Sequence, residues 1–217
     1  NDPDWCAGKW VEMDLTYFGV NNFIENVFMC LMYDATTDLV YGAVVARDFD
    51  PFYGWTGWDQ QDSIEVYIQG DISTVGDPNF VNPYGDWAFG QQFMIGVEPD
   101  SVNPTNTALD TTFKLWPDGT NFTVGPDPGL TAVATRTING PFDDNLIYEF
   151  VLVPYDNYGG YDLSPTVQTD LTPGKQFGFD VVLANLSPFS PSFGMRCANL
   201  QTGKSGNVAA YGTATCE

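Results

Sequence analysis

Polar and apolar residues alternate strictly between Ser63 and Gln69. Ile64, Val66 and Ile68 fall on one side, while Ser63, Glu65, Tyr67 and Gln69 fall on the other. A period of two predicts a strand with one buried face, and Gly70-Asp71 ends it. Similar short runs recur on both sides. Lys9 to Phe18 alternates with a change of phase, which predicts a bulged strand. Asn26 to Tyr33 and Asp38 to Ala46 flank the polar Asp34-Ala35-Thr36-Thr37 and predict a hairpin. Strands are also expected over Trp87 to Val97, Thr111 to Trp116, Asn121 to Val124 and Thr131 to Ile138. Leu146 to Val153, Gln176 to Ala184, Ser192 to Ala198 and Val208 to Ala214 complete the set. No stretch keeps a 3.6-residue period for three turns. At most one short turn of helix fits, around Ser164 to Asp170. About eleven short strands with Pro and Gly turns between them predict an all-β fold, an antiparallel β-sandwich of jelly-roll type. Residues 1–217 read as one domain, a size that sandwiches routinely reach.

Charge narrows the partners. Seven basic and 28 acidic side chains leave a net charge of −21, although charged residues are only 16% of the chain. Nucleic acids and anionic membrane surfaces both require Lys and Arg, so neither is expected as a partner. Neutral ligands, cationic partners and divalent metals fit better, and so does adaptation to salt water. No run approaches 18 apolar residues, so no segment is expected to insert into a membrane. Asn1-Asp2-Pro3-Asp4-Trp5 fits a terminus left by signal cleavage or by trimming.

Cys6, Cys30, Cys197 and Cys216 form an even set with no C-x-x-C spacing. Two disulfides in a secreted or cell-surface protein are expected rather than zinc. Three pairings are possible, and Cys6–Cys30 with Cys197–Cys216 is preferred. Each such loop would stabilise the fold by roughly 3 kcal/mol on chain-entropy grounds. Asn121 and Asn185 open N-x-S/T sequons that a eukaryotic host could glycosylate.

The chain contains no histidine. Ser-His-Asp and Cys-His machinery therefore cannot be built, nor can zinc sites that use imidazole. A glycosidase needs two carboxylates across a sugar. Glu12, Glu25, Glu65, Glu98 and Glu149 offer such pairs only as any acidic β protein does, so no enzyme is expected. Binding chemistry is better represented. Trp55 and Trp58 stand in a loop that runs into the strand carrying Glu65. Indole rings stack on the C–H face of a pyranose, and nearby carboxylates and amides hydrogen-bond its hydroxyls. The alternative role of both tryptophans is to plug one end of the core. Asp48 and Asp50 sit at alternate positions of an extended segment, and Asp62 opens the next strand. Carboxylates so placed can converge on calcium, a hard cation that takes oxygen ligands.

Trp58-Asp59-Gln60-Gln61-Asp62-Ser63-Ile64-Glu65-Val66-Tyr67-Ile68 resembles the W-x-x-D-S-V-E-x-x-I-D segment of family 9 carbohydrate-binding modules, which belong to the DOMON-like β-sandwiches. Leu39 to Asp48 resembles the family's L-Y-x-x-x-x-V-x-D hairpin strand. Tyr148 to Pro154 and Pro173 to Asn185 resemble its Y-x-x-E-x-x-I-P and G-x-x-I-G-F-D-V-x-V-N segments. The resemblance implies a sandwich with structural calcium and a sugar gripped between two tryptophans, a glutamate and an arginine. Trp58 and Glu65 match two of those places, and Gln92-Phe93-Met94-Ile95 resembles the family's Q-F-R-V segment. The arginine position holds Met94, and no tryptophan follows Trp116. DOMON relatives that carry haem use Met and His, a pair this chain lacks.

Trp58, Glu65, Trp55 and Gln92 are thus the expected ligand-binding residues, and Asp48, Asp50 and Asp62 the expected calcium ligands. The expected function is a secreted, non-catalytic, calcium-stabilised sandwich that binds a glycan. The alternative is a structural subunit of an extracellular filament, sheath or layer. Such a subunit would self-associate by lending an end segment, Asn1 to Gly8 or the Cys216 end, to a neighbour's sheet edge.

Overall fold

The structure, a computed structural model, describes residues 9–13, 15–18, 24–49, 62–71, 91–97, 109–113, 123–124, 130–140, 143–157, 167–186, 193–197 and 212–217. Fifteen strands occur among them: β1 (Lys9–Glu12), β2 (Leu15–Phe18), β3 (Ile24–Asp34), β4 (Leu39–Asp48), β5 (Ser63–Gln69), β6 (Gln91–Val97), β7 (Leu109–Phe113), β8 (Thr123–Val124), β9 (Leu130–Gly140), β10 (Asp143–Leu152), β11 (Tyr155–Asn157), β12 (Val167–Gln168), β13 (Gln176–Leu186), β14 (Phe193–Cys197) and β15 (Gly212–Thr215). The first sheet has the order β1-β3-β4-β10-β9, and the second β2-β14-β13-β5-β6-β7-β8 with β15 also on β13. All pairings are antiparallel, as the short turn-separated runs predict.

Three local expectations change and one is met with an irregularity. The Lys9 to Phe18 run is two strands, with β1 on β3 in the first sheet and β2 on β14 in the second. The change of phase therefore marks a crossing between layers, fixed where the Met13 amide donates to the Val27 carbonyl at 2.8 Å. The expected hairpin is present, with a register shift between Glu25 and Phe28 and Asn26 at φ 53°. Val167–Gln168 is a strand paired with β11, so the helical turn expected around it is not formed there. Lastly, β5 is buried on both faces, not one.

The two sheets meet through side chains in phase along each strand. Val40, Val44 and Ala46 of β4 join Leu146, Tyr148, Phe150 and Leu152 of β10. Opposite them lie Ile64, Val66 and Ile68 of β5, Phe93 and Ile95 of β6, and Phe177, Phe179, Val181 and Leu183 of β13. Phe150 stacks on Phe179 across the interface, with centroids 6.5 Å apart and planes 21° from parallel. Burying a side chain of this size is worth about 1.5–3 kcal/mol, so these rows supply the cohesion of the sandwich. Gly42 faces Phe150 in the β4–β10 register, and a Cβ built on Gly42 would overlap the Phe150 ring. Glycine is there to let the ring lie on the backbone.

One end of the sandwich is sewn shut by polar groups. Gln91 donates through Nε2 to the Val153 carbonyl at 2.9 Å and accepts from the Tyr155 amide at 3.1 Å. The Gly70 amide donates to the Tyr155 carbonyl at 3.0 Å, and the Thr169 amide to that of Pro154 at 2.9 Å. Lys175 Nζ lies 3.3 Å from Asp156 Oδ1. The segment following β10 is thereby tied to β5, β6 and β13.

Cys30 and Cys216 are buried free thiols in this structure, so neither expected bridge is formed at its described member. Cys6 and the side chain of Cys197 lie outside the described residues. Burial pushes both thiols up from the ordinary cysteine value, with Lys175 partly offsetting this at Cys216. A thiol pKa raised by folding favours the folded state below the ordinary thiol pKa, and that contribution falls as pH rises through it. Both thiols are therefore expected to resist alkylation in the native protein at pH 8 and to label in urea without reductant. Mass spectrometry reads the outcome: no label at Cys30 or Cys216 in urea would mean that they are bridged after all.

Candidate functional site

Two polar groups occupy positions where a sandwich normally carries apolar or solvated side chains. The first lies inside, at the end opposite the sewn one. Asp48 continues the inward set of β4, Asp144 that of β10, Asp62 that of β5 and Asn185 that of β13. Asp48 and Asp62 are 0% and 1% exposed, and Asp144 and Asn185 are also buried. Asp144 pairs directly with Asp48 in the ladder, and Asn185 is one step beyond the Ala184–Ser63 pair, level with Asp62. Tyr148 belongs to the same region. Burial first, then the charges of Asp62 and Asp48, hold its phenol well above the usual tyrosine value. Its hydroxyl is buried without a hydrogen-bond partner. Taking a carboxylate out of water costs several kcal/mol, so charges here require a cation or donors close by.

The expected calcium set is only partly described. Asp48 and Asp62 come from different sheets, yet both bear on Tyr148. Asp50 lies outside the described residues. Among the described residues, no group of three or more His, Cys, Asp or Glu side chains is arranged to hold a metal ion. Two buried carboxylates plus a phenol oxygen lacking a partner nonetheless have the hard-oxygen chemistry that calcium prefers. Asn185 being buried among them, its sequon is closed to a glycan in the folded protein.

The second group is on the outer face of the second sheet. Ser63, Glu65, Tyr67 and Gln69 project there from β5, away from the core. Asp180 of β13 pairs with Tyr67, and Val182 with Glu65. Glu65 is 7% exposed and Asp180 3%, although this face is not the sandwich interior. The Tyr67 hydroxyl donates to Glu65 Oε2, which fixes the carboxylate. Asp180 Oδ1 accepts from the Val181 amide at 2.9 Å. On the other side of β5, Gln92 is the register partner of Tyr67, and Met94 that of Glu65. Expected ligand residues Glu65 and Gln92 are therefore one cross-strand step apart. Trp55 and Trp58 lie outside the described residues. Tyr67, already on this side by alternation, and Asp180 were not among the expected ligand residues. Their signal was phase: both fall on the outward side of strands whose other side is apolar, along all of β5 and from Phe177 to Leu183 of β13.

No sequence family matches the chain, and no curated protein sequence matches it. Solved structures do. The chain is similar to a family 9 carbohydrate-binding module from Caldicellulosiruptor kristjanssonii solved with glucose, at TM-score 0.56 and 13% identity, covering 100% of this chain and 88% of that one. The same module with cellotriose aligns at TM-score 0.56 and 13% identity, over 99% and 85% of the two chains. A candidate carbohydrate-binding protein from Bacteroides uniformis aligns at TM-score 0.53 and 11% identity, over 99% and 88%. The matches extend along 99–100% of the chain, and what is shared is the architecture. Among the described residues, no helix is long and apolar enough to cross a membrane. The chain shares its β-sandwich fold with these solved structures.

Proposed function

We propose that this protein is a secreted, calcium-stabilised module that binds carbohydrate on the outer face of its second sheet. The observation that carries the reading is the Ser63–Glu65–Tyr67 row, polar and shielded on a face that the core does not need. A carboxylate held by a neighbouring phenol has lost its rotational freedom before any ligand arrives, so a sugar hydroxyl that docks on it meets little ordering cost. Trp58, a few residues before β5, would supply the stacking surface, and Gln92 a further amide. The solved structures with glucose and cellotriose support a neutral sugar ligand, and the charge of −21 disfavours an anionic one. Calcium, held by Asp48 and Asp62 with oxygen from Tyr148 or Asn185, would offset the buried charge at the far end of β5. That role is structural and no step of ligand binding passes through it.

Calorimetric titration with a panel of gluco- and aminogluco-oligosaccharides tests the binding role. Trp58→Ala should weaken binding about tenfold, as loss of one stacking ring worth ~1 kcal/mol or slightly more implies. Glu65→Gln should weaken it by a further tenfold or more, the value of a charge-assisted hydrogen bond. Saturable binding that survives both substitutions unchanged would place the site elsewhere on the molecule.

A further inference from the structure

Strand β1 ends the first sheet, and all four of its residues are exposed. Trp10 is 38% exposed and Val11 39%. Among the described residues, β1 pairs with β3 alone. The Met13 amide bond to the Val27 carbonyl continues the β1–β3 register by one step. In an antiparallel ladder, residues that bond to one neighbour alternate with residues that bond to the other. Lys9 and Val11, in step with Met13, therefore direct their backbone groups to β3. Trp10 and Glu12 turn theirs to the free edge. Such an edge is a template for another strand.

The side chains of this edge complement a second copy of themselves. Trp10 and Glu12 lie on the outer face of the sheet, beside their register partners Cys30 and Phe28. Val11 lies on the inner side next to Met29, which packs against the core. Two β1 strands set antiparallel across a two-fold axis at Val11 place Trp10 of each copy opposite Glu12 of the other. Val11 then faces itself, and every residue keeps its side of the sheet. All the edge-facing backbone groups of Trp10 and Glu12 are used, which makes four hydrogen bonds. The indole N–H is a donor only and the carboxylate an acceptor only, so each Trp10 meets a fitting partner. Centring the axis on Trp10 instead sets donor against donor and leaves Glu12 beyond the end of β1.

We propose that β1 pairs with β1 of a second copy, joining two five-stranded sheets into one continuous sheet. This is independent of the carbohydrate-binding reading above. Four residues from each copy fall short of the roughly 1,000 Å² of a stable interface, so the dimer is a weak one. The net charge of −21 on each copy opposes approach. Salt screens that repulsion and leaves the strand hydrogen bonds and the Val11 contact in place, so ionic strength favours the dimer.

Sedimentation equilibrium of the full chain tests this, from micromolar to millimolar concentration, at low and high salt, in chelator and in calcium. A monomer–dimer equilibrium that strengthens with salt, and forms in chelator as well as in calcium, is the expected result. Val11→Lys sets two ammonium groups across the axis, and Glu12→Pro removes an N–H that β3 does not use. Each should weaken association about tenfold or more. Both positions are exposed, and a thermal melt of each variant shows that it is folded. Val11→Cys reads the register. Across the axis it faces itself in a pair about 4.5 Å apart at Cα, within disulfide reach, so oxidant should link the copies beyond the level of the parent. Lys9→Cys, which would face Met13, should not. A chain that stays monomeric at millimolar concentration and high salt overturns the proposal. So does a dimer indifferent to both Val11→Lys and Glu12→Pro, or cross-linking as fast with Lys9→Cys as with Val11→Cys. A dimer that forms in calcium and is lost in chelator also overturns it, because cations rather than strands would then hold the copies together.

Discussion

Stripping divalent cations with a chelator should lower the melting temperature by roughly 10 °C, and excess calcium should restore it. A ligand present at about a thousand times its dissociation constant stabilises by ~4 kcal/mol, and each kcal/mol shifts a chain of this size by roughly 2–4 °C. The expectation comes from Asp48 and Asp62, which are as buried as the isoleucines of β5 yet act electrostatically on the same phenol. Substitution gives the sign that separates the possibilities. If calcium sits between these carboxylates, Asp62→Asn should destabilise the loaded protein by several kcal/mol and abolish the calcium response. If calcium is not there, Asp62→Asn should change stability by the same amount in chelator and in calcium. Tyr148→Phe sharpens the contrast. Its buried hydroxyl, lacking a partner, costs about 1–3 kcal/mol, so the variant should match or exceed the parent in chelator and fall below it in calcium. A thermal melt indifferent to both chelator and calcium would end the metal proposal.

Gly42→Ala should cost about 2–3 kcal/mol of stability, far more than a glycine-to-alanine change in a strand normally does. The new methyl would be built into the ring of Phe150, which is fully packed between β4 and the stacked Phe179. The ring cannot tilt away without opening the interface between sheets. Phe150→Leu in the same chain should recover part of the loss, because the smaller side chain vacates the contested volume. Alone, Phe150→Ala should cost about 3–5 kcal/mol. Urea denaturation of the four proteins decides the matter: a Gly42→Ala midpoint close to that of the parent would mean that the ring yields easily.

The architecture was legible because strand periodicity survives wherever one face is apolar. Ile64-Val66-Ile68 and Leu146-Tyr148-Phe150-Leu152 show it plainly. The pairing order was not legible, since nothing in the residues of β5 says that β13 and β6 flank it. The crossing at Met13 looked like a bulge because both produce the same break of phase. Asp48 and Asp62 were visible as acids at strand ends, but the fuller interior group required phase to be followed past the last apolar residue. Asp144 keeps step with Leu146, and Asn185 with Leu183, so both face inward despite their polarity. Glu65 was expected to face solvent from a half-buried strand. Its shielding on the outer face depends on what covers the sheet, which alternation along one strand does not encode.

The pairing of Gly178 with Gln69 has a kinetic consequence. During synthesis β5 is made well before its partner β13. Until then the Ile64-Val66-Ile68 edge has β6 alone to shelter it, and loop closure over so long a span is slow. Until β13 arrives, a nascent chain of this protein therefore carries a half-paired apolar ribbon that is open to wrong partners.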